Sequence, residues 1–157
     1  MSAAAEVCAQ ISSARQRFLE SVQGLSDAGA RRRPTSDEWS VIEVLAHMVD
    51  VDDFYLGQAL LLREQPGVRF SHFDDSAWKR AHPLPDEFEL TDVLARLAAS
   101  HERVLAAAAA LTDEELARPG VHPRDIPYTV RHVLLRFPPH DENHRQQIAG
   151  IRARLGI

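Results

Sequence analysis

Apolar residues return at steps of three and four along four long stretches of this 157-residue chain, a period that calls for helices rather than strands. The first stretch carries Val7, Ile11, Ala14, Phe18, Val22 and Leu25; it ends near Gly24 and Gly29, with Pro34 in the loop beyond. The second opens at Ser40, a good N-cap, with Glu43 placed three residues on to complete a capping box. Its stripe is Val41, Val44, Leu45, Met48, Val51 or Asp52, Tyr55, Ala59 and Leu62, and Pro66-Gly67 stops it. The third begins near Thr91 and uses Leu94, Leu97, His101, Val104, Ala108 and Leu111; Thr112 and Glu115 then form a second capping-box pattern over a short turn of helix. The fourth runs from about Thr129 to Leu155 along Val130, Leu134, Phe137, His140, His144, Ile148, Ile151 and Leu155.

Four such stripes predict an all-α chain, a four-helix bundle forming a single domain over residues 1–157. The connection from Glu64 to Glu89 is long for a compact domain, and connections of that length are often functional. It holds Phe70, Phe73 and Trp78, with a short helix predicted over Asp74 to Arg80. It is long enough to cross the length of a bundle, so helices two and three need not be antiparallel neighbours. Arg118 to Pro127, with three prolines and a glycine, reads as a loop. Pro138-Pro139 interrupt the fourth segment, which is expected to kink or restart there with Pro139 in its first turn.

Composition narrows the function. A net charge of -5 argues against a nucleic-acid partner, which needs a basic face to neutralise phosphates. The one basic run, Arg31-Arg32-Arg33, reads as a solvated loop. Cys8 is the only cysteine, so no intrachain disulfide forms and a reducing compartment is the simple expectation. No basic, apolar leader opens the chain and no stretch of about 18 uncharged apolar residues exists, so the expected location is cytoplasmic, with no membrane partner.

The chemistry lies in the histidines. His140 and His144 stand at i and i+4 on the apolar stripe of the fourth helix, one above the other, where their nitrogens can meet at one point as zinc or nickel requires. Two stacked imidazoles facing a core are costly without a metal or a polar network. The spacing alone is common by chance, and core or surface histidines without a metal remain the competing account. The segment is not a zincin motif: Asp141 stands where the general-base Glu belongs, and no His, Asp, Glu or Cys follows His144. Further ligands must come from upstream. His47, in mid-helix on the rim of the second apolar face, is the best candidate. Three histidines from facing helices leave an open position for water or substrate, the pattern of a catalytic site.

Pro34-x4-Trp39-Ser40-x2-Glu43-x3-His47, followed far downstream by His140-x3-His144-x2-Gln147-Ile148, resembles the DinB/YfiT-like superfamily. Asp50-Val51-Asp52-Asp53-Phe54-Tyr55-Leu56 and Gly120-Val121-His122-Pro123 fit the same resemblance, which spans nearly the whole chain. It does not extend to the DNA polymerase that shares the name. The resemblance implies a four-helix bundle with a long crossover between helices two and three, often a homodimer. It implies a divalent metal, zinc or nickel, on the histidines matching His47, His140 and His144. Relatives with known reactions include S-transferases and isomerases that use a low-molecular-weight thiol such as bacillithiol or mycothiol.

The expected function is therefore a metal-dependent enzyme acting on a small-molecule substrate, with thiol S-transfer leading. A metal-dependent hydrolase, a non-catalytic metal- or ligand-binding stress protein and a metal-free helical interaction module are the alternatives. His101, Gln147 and Trp78 are candidates for substrate contact or ligand support. For His101 a hydrogen-bonded core position is the competing account, and for Gln147 a surface amide. His132 is expected at the surface; His72, His82 and His122 fall in loops.

Overall fold

A computed structural model describes residues 1–83 and 89–157. The chain is a four-helix bundle. Its long helices are α1 (Ala3–Glu20), α3 (Val41–Glu64), α5 (Leu90–Ala109) and α8 (Phe137–Leu155), joined by the short helices α2 (Asp27–Arg31), α4 (Asp75–Ala81), α6 (Asp113–Leu116) and α7 (Val130–Leu134). α1 packs on α8 and α5, and α3 packs on α5, α7 and α8, closing a ring of four.

The helix starts follow local chemistry. Ser40 Oγ accepts from the Glu43 amide while the Glu43 carboxylate accepts from the Ser40 amide at 2.8 Å, the capping box expected from sequence. Thr112 and Glu115 do the same for α6. Glu43 is also buried against the Arg33 guanidinium, which ties the loop before α3 to its first turn.

Arg118 to Pro127 differs from the sequence reading, whereas the fourth segment restarts at its prolines as expected. Arg118 to Pro127 is not all loop: β1 (Pro119–Val121) pairs antiparallel with β2 (Pro127–Thr129), Gly120 opposite Tyr128. Strands of three residues carry no alternation to read, and part of their pairing comes from the long connection. The Phe70 amide donates to Val121 O at 2.7 Å, and the Val121 amide donates to Val68 O at 2.9 Å. Gly120 is required here, because a Cβ would meet Leu62 Cδ2 at 2.5 Å. The fourth segment is two helices. α7 stops at Leu134 and α8 restarts at Phe137, which puts Pro138 and Pro139 in a first turn, where their missing N–H groups cost nothing. The expected short helix in the connection is α4, capped by the Asp74 carboxylate on the Ala77 amide at 2.8 Å. Residues 84–88 of that connection lie outside the described residues.

The apolar core comes in two clusters. One gathers Val7, Ile11, Val51, Tyr55, Val104 and Phe137; the other gathers Phe18, Leu45, Met48, Leu97 and Ile148. Each long helix contributes to both. Near the switch from one cluster to the other along each of these helices sit buried polar residues: Arg15 on α1, His47 and Asp52 on α3, Ser100 on α5 and Asp141 on α8. A polar layer thus crosses the middle of the bundle.

Candidate metal centre

His47 comes into this layer from the second turn of α3 and is fully buried. Three aromatic rings wall it: Trp39 at 4.8 Å between ring centroids, Phe73 at 5.2 Å and Trp78 at 5.3 Å. Trp39 lies just before α3. Phe73 and Trp78 belong to the long connection, which reaches back over the site because Trp78 Nε1 donates to Asp50 Oδ2 at 2.6 Å.

α8 presents His140 and His144 on one face, one turn apart, as the i, i+4 spacing requires. Their Nε2 atoms are 3.0 Å apart. His144 Nδ1 lies 2.7 Å from Gln147 Oε1. An amide oxygen only accepts, so with this amide orientation the ring proton sits on Nδ1 and Nε2 offers a lone pair inward. Gln147 thereby sets the tautomer that a metal needs.

The three rings converge. One nitrogen from each of His47, His140 and His144 lies within 4.8 Å of the other two. Zinc–nitrogen bonds of about 2.0–2.1 Å place tetrahedral ligand atoms about 3.3–3.4 Å apart, so shifts of about an ångström bring all three onto one ion. Among the described residues, both ring nitrogens of His47 and Nδ1 of His140 are buried without a hydrogen-bond partner. Buried polar nitrogens left bare are costly, and a shared cation removes part of that cost. The donor set, neutral imidazoles with an open side, fits a divalent transition metal.

The electrostatics favour neutral rings. Burial, with repulsion from His144, pushes the His47 imidazolium down from 6.5 to about 3. Burial first, then His144 and His47, takes His140 to about 2. His144 is lowered by burial, against the pull of Gln147 and Asp75. Neutral imidazole is the form that ligates.

Behind His140 lies the rest of the polar layer. Arg15 Nε donates to Asp141 Oδ2 at 2.8 Å, while its Nη1 and Nη2 fork onto Asp52 at 3.0 and 2.8 Å. Ser100 Oγ donates to Asp52 Oδ2 at 2.7 Å. All four long helices meet in this network. Burial opposes the Arg15 charge, but the two carboxylates outweigh it and raise its pKa. Burial pushes the Asp141 carboxyl up, against Arg15.

The remaining candidates fall as follows. His101 is half-buried beside Arg15 and Asp52, not in the three-histidine cluster; burial first, then Arg15, lowers it to about 4. Trp78 packs its ring edge-on to His47, and Gln147 supports His144. His132 is exposed, with Nδ1 2.7 Å from the Thr129 hydroxyl at the start of α7. His122 is buried, stacked on Phe70. Two cavities reach the cluster. One, of about 470 Å³, is lined by Trp39, Asp75, Lys79, His144, Gln147 and Arg154. The other, of about 440 Å³, is lined by Tyr55, Tyr128, Arg136, His140 and Asn143. Asp75, on α4, was not singled out from sequence. Its carboxylate Oδ1 stands 3.4 Å from His47 Nε2.

Residues 10–148 match the family model of the DinB superfamily. The chain belongs to the DinB superfamily. A curated relative is the uncharacterized protein YuaE of Bacillus subtilis (strain 168), 24 % identical over 155 residues, covering 90 % of this chain and 94 % of YuaE. Among solved structures, this DinB-superfamily chain superposes on YfiT from Bacillus subtilis with a TM-score of 0.77 at 20 % identity. The match covers 98 % of this chain and 87 % of YfiT, which is described as a probable metal-dependent hydrolase with an unusual four-helix bundle topology. A conserved protein from Enterococcus faecalis matches with a TM-score of 0.68 at 20 % identity, covering 99 % of this chain and 98 % of that one. At these identities the structures establish the superfamily fold. No helix among the described residues is long and apolar enough to cross a membrane.

Proposed function

We propose that this protein is a metal-dependent enzyme acting on a small-molecule substrate, with His47, His140 and His144 as the ligands of a zinc or nickel ion. The observation that carries this reading is the convergence of three neutral imidazoles, with bare buried nitrogens, from two helices on one point. Bound there, the metal lowers the pKa of a water or thiol and acts as a Lewis acid.

The chain's own groups supply the rest. Gln147 holds the His144 ring so that Nε2 faces inward. Trp39, Phe73 and Trp78 exclude water from around His47 and make the site apolar on that side. The cavity lined by His144, Gln147 and Trp39 gives a small molecule access. Hydrolysis is the leading reaction class, supported by the description of YfiT.

Transfer to a low-molecular-weight thiol of the bacillithiol or mycothiol type is the second reading. The aromatic wall around His47 favours it, since sulfur packs well against ring edges. We take the protein to work in the cytoplasm as a homodimer.

Metal analysis of the purified protein tests the core of the proposal. One divalent ion per chain is expected, lost in the His140→Ala/His144→Ala double variant; full retention in that variant refutes it. Turnover of ester, amide and electrophile panels, each with and without added thiol, then separates hydrolysis from S-transfer.

A further inference from the structure

Asp75 faces the three-histidine cluster from α4, a position to which nothing local in the sequence points. Its Oδ1 lies 3.4 Å from His47 Nε2, without the alignment of a hydrogen bond, since that nitrogen has no hydrogen-bond partner among the described residues. The separation has a direct chemical reading. Two ligand atoms on one tetrahedral zinc at about 2.0–2.1 Å stand about 3.3–3.4 Å apart. A carboxylate oxygen and a bare imidazole nitrogen therefore sit one ligand-to-ligand spacing apart, and Asp75 lines the same cavity as His144.

Resting on the metal-enzyme reading above, we propose that Asp75 is the fourth ligand of the ion, so that the long connection closes the site through a metal bond. Asp75 is in the first turn of α4, which follows its N-cap Asp74. Three contacts already hold α4 against the site. Trp78 Nε1 donates to Asp50, the Trp78 ring meets Trp39 edge-on at 5.7 Å, and Lys79 Nζ donates to Asp37 O. Among the described residues, the side chain within ion-pair distance of the Asp75 carboxylate is the neutral His47 ring and not a lysine or arginine. The carboxylate is supplied by the protein yet 66 % exposed, so it can leave the ion without disturbing the core.

Three imidazoles and one carboxylate make a donor set suited to zinc and to other divalent transition metals. The carboxylate brings the formal charge of the loaded site from +2 to +1. With the ion bound, the exposed Asp75 carboxylate would be the group that gives way to a substrate or water. Metal binding would then add a further tie between the already docked α4 and the site.

The test uses the full-length protein with Zn²⁺ and Co²⁺ as probes. Asp75→Asn and Asp75→Ala are compared with wild type and with Ser76→Ala, an exposed neighbour. Zn²⁺ affinity is measured by chelator competition, coordination by the visible spectrum of the Co²⁺ form, and docking by hydrogen exchange of residues 75–82. The Asp75 variants should bind one Zn²⁺ at least tenfold more weakly, change the intensity of the Co²⁺ bands, and lose a Zn²⁺-dependent slowing of exchange in α4 that wild type shows. Unchanged affinity and an unchanged Co²⁺ spectrum in both variants overturn the proposal for Asp75 alone, provided His140→Ala/His144→Ala abolishes binding. A wild-type protein that binds neither ion overturns the underlying metal reading with it.

Discussion

Arg15 on α1 reaches across the bundle to Asp141 on α8, Nε to Oδ2 at 2.8 Å, and Asp141 is the chain neighbour of His140. The first helix, which supplies no candidate ligand, therefore fixes the backbone on which two of the three histidines stand. The same guanidinium forks onto Asp52, which follows His47 on the same helix α3. Truncating one member of a buried, hydrogen-bonded ion network leaves the others without a counter-charge, at a cost of about 3–5 kcal/mol. Arg15→Met should lower stability by that amount in urea denaturation. Combining it with Asp52→Asn and Asp141→Asn should recover part of the loss. A single variant within about 1 kcal/mol of wild type contradicts this account of the layer.

The metal-free protein should weaken in mild acid. The His47 and His140 rings, held down to about 3 and about 2, stay neutral in the fold, whereas an unfolded chain protonates its histidines near 6.5. Below pH 6.5 the unfolded state thus binds more protons, and stability falls steadily as pH drops toward the depressed values. Each ring contributes about 1.4 kcal/mol per pH unit, or about 2 kcal/mol by pH 5. Urea midpoints of EDTA-treated protein at pH 7 and pH 5 should differ accordingly, and the difference should shrink in His47→Gln. A midpoint independent of pH over that interval would show that these rings are not buried as neutral groups.

Gln147 should matter to metal affinity without being a ligand. Removing the partner that orients a metal-bound histidine typically weakens binding about 10- to 100-fold. Gln147→Leu should bind one Zn²⁺ with affinity reduced to that extent and melt within a few degrees of wild type when metal-free. Equal affinities for the two proteins would show that the exposed Gln147 amide does not orient His144 for a metal.

Gly120→Ala should be damaging although the position is on a two-stranded hairpin. The added methyl would lie 2.5 Å from Leu62 Cδ2 and 3.0 Å from Val68 O. Overpacking of this kind costs about 1–3 kcal/mol, read as a fall in melting temperature. A variant as stable as wild type would mean that Leu62 moves aside freely.

Much of this molecule was legible from residue order. The three- and four-step stripes gave the bundle, and Ser40 with Glu43 and Thr112 with Glu115 marked two helix starts to the residue. The histidine cluster could be anticipated because i, i+4 pairing is a local geometric rule and His47 lay on an apolar rim. Arg15 escaped, although it sits between Ile11 and Phe18 at helical spacing, a charge inside an apolar stripe. That signal says a residue is buried but not with whom. Asp52 and Asp141 are 37 and 126 positions away from Arg15 in sequence. Asp75 left no local trace at all, because its place depends on how the long connection folds back. The hairpin at Gly120 was hidden for a similar reason: Gly67, Val68 and Phe70, outside the hairpin, supply three backbone hydrogen bonds to β1.

The layer of charge and imidazole across the bundle acts on alignment as well as on chemistry. Greasy surfaces can slide past one another by a helical turn and still stay greasy. Here a slip of about 5.4 Å in any one of the four rods would strand Arg15, Asp52, Asp141 or Ser100 against hydrocarbon with no partner. The same residues that frame the proposed ion thus act as a vernier, letting the rods lock at only one mutual setting.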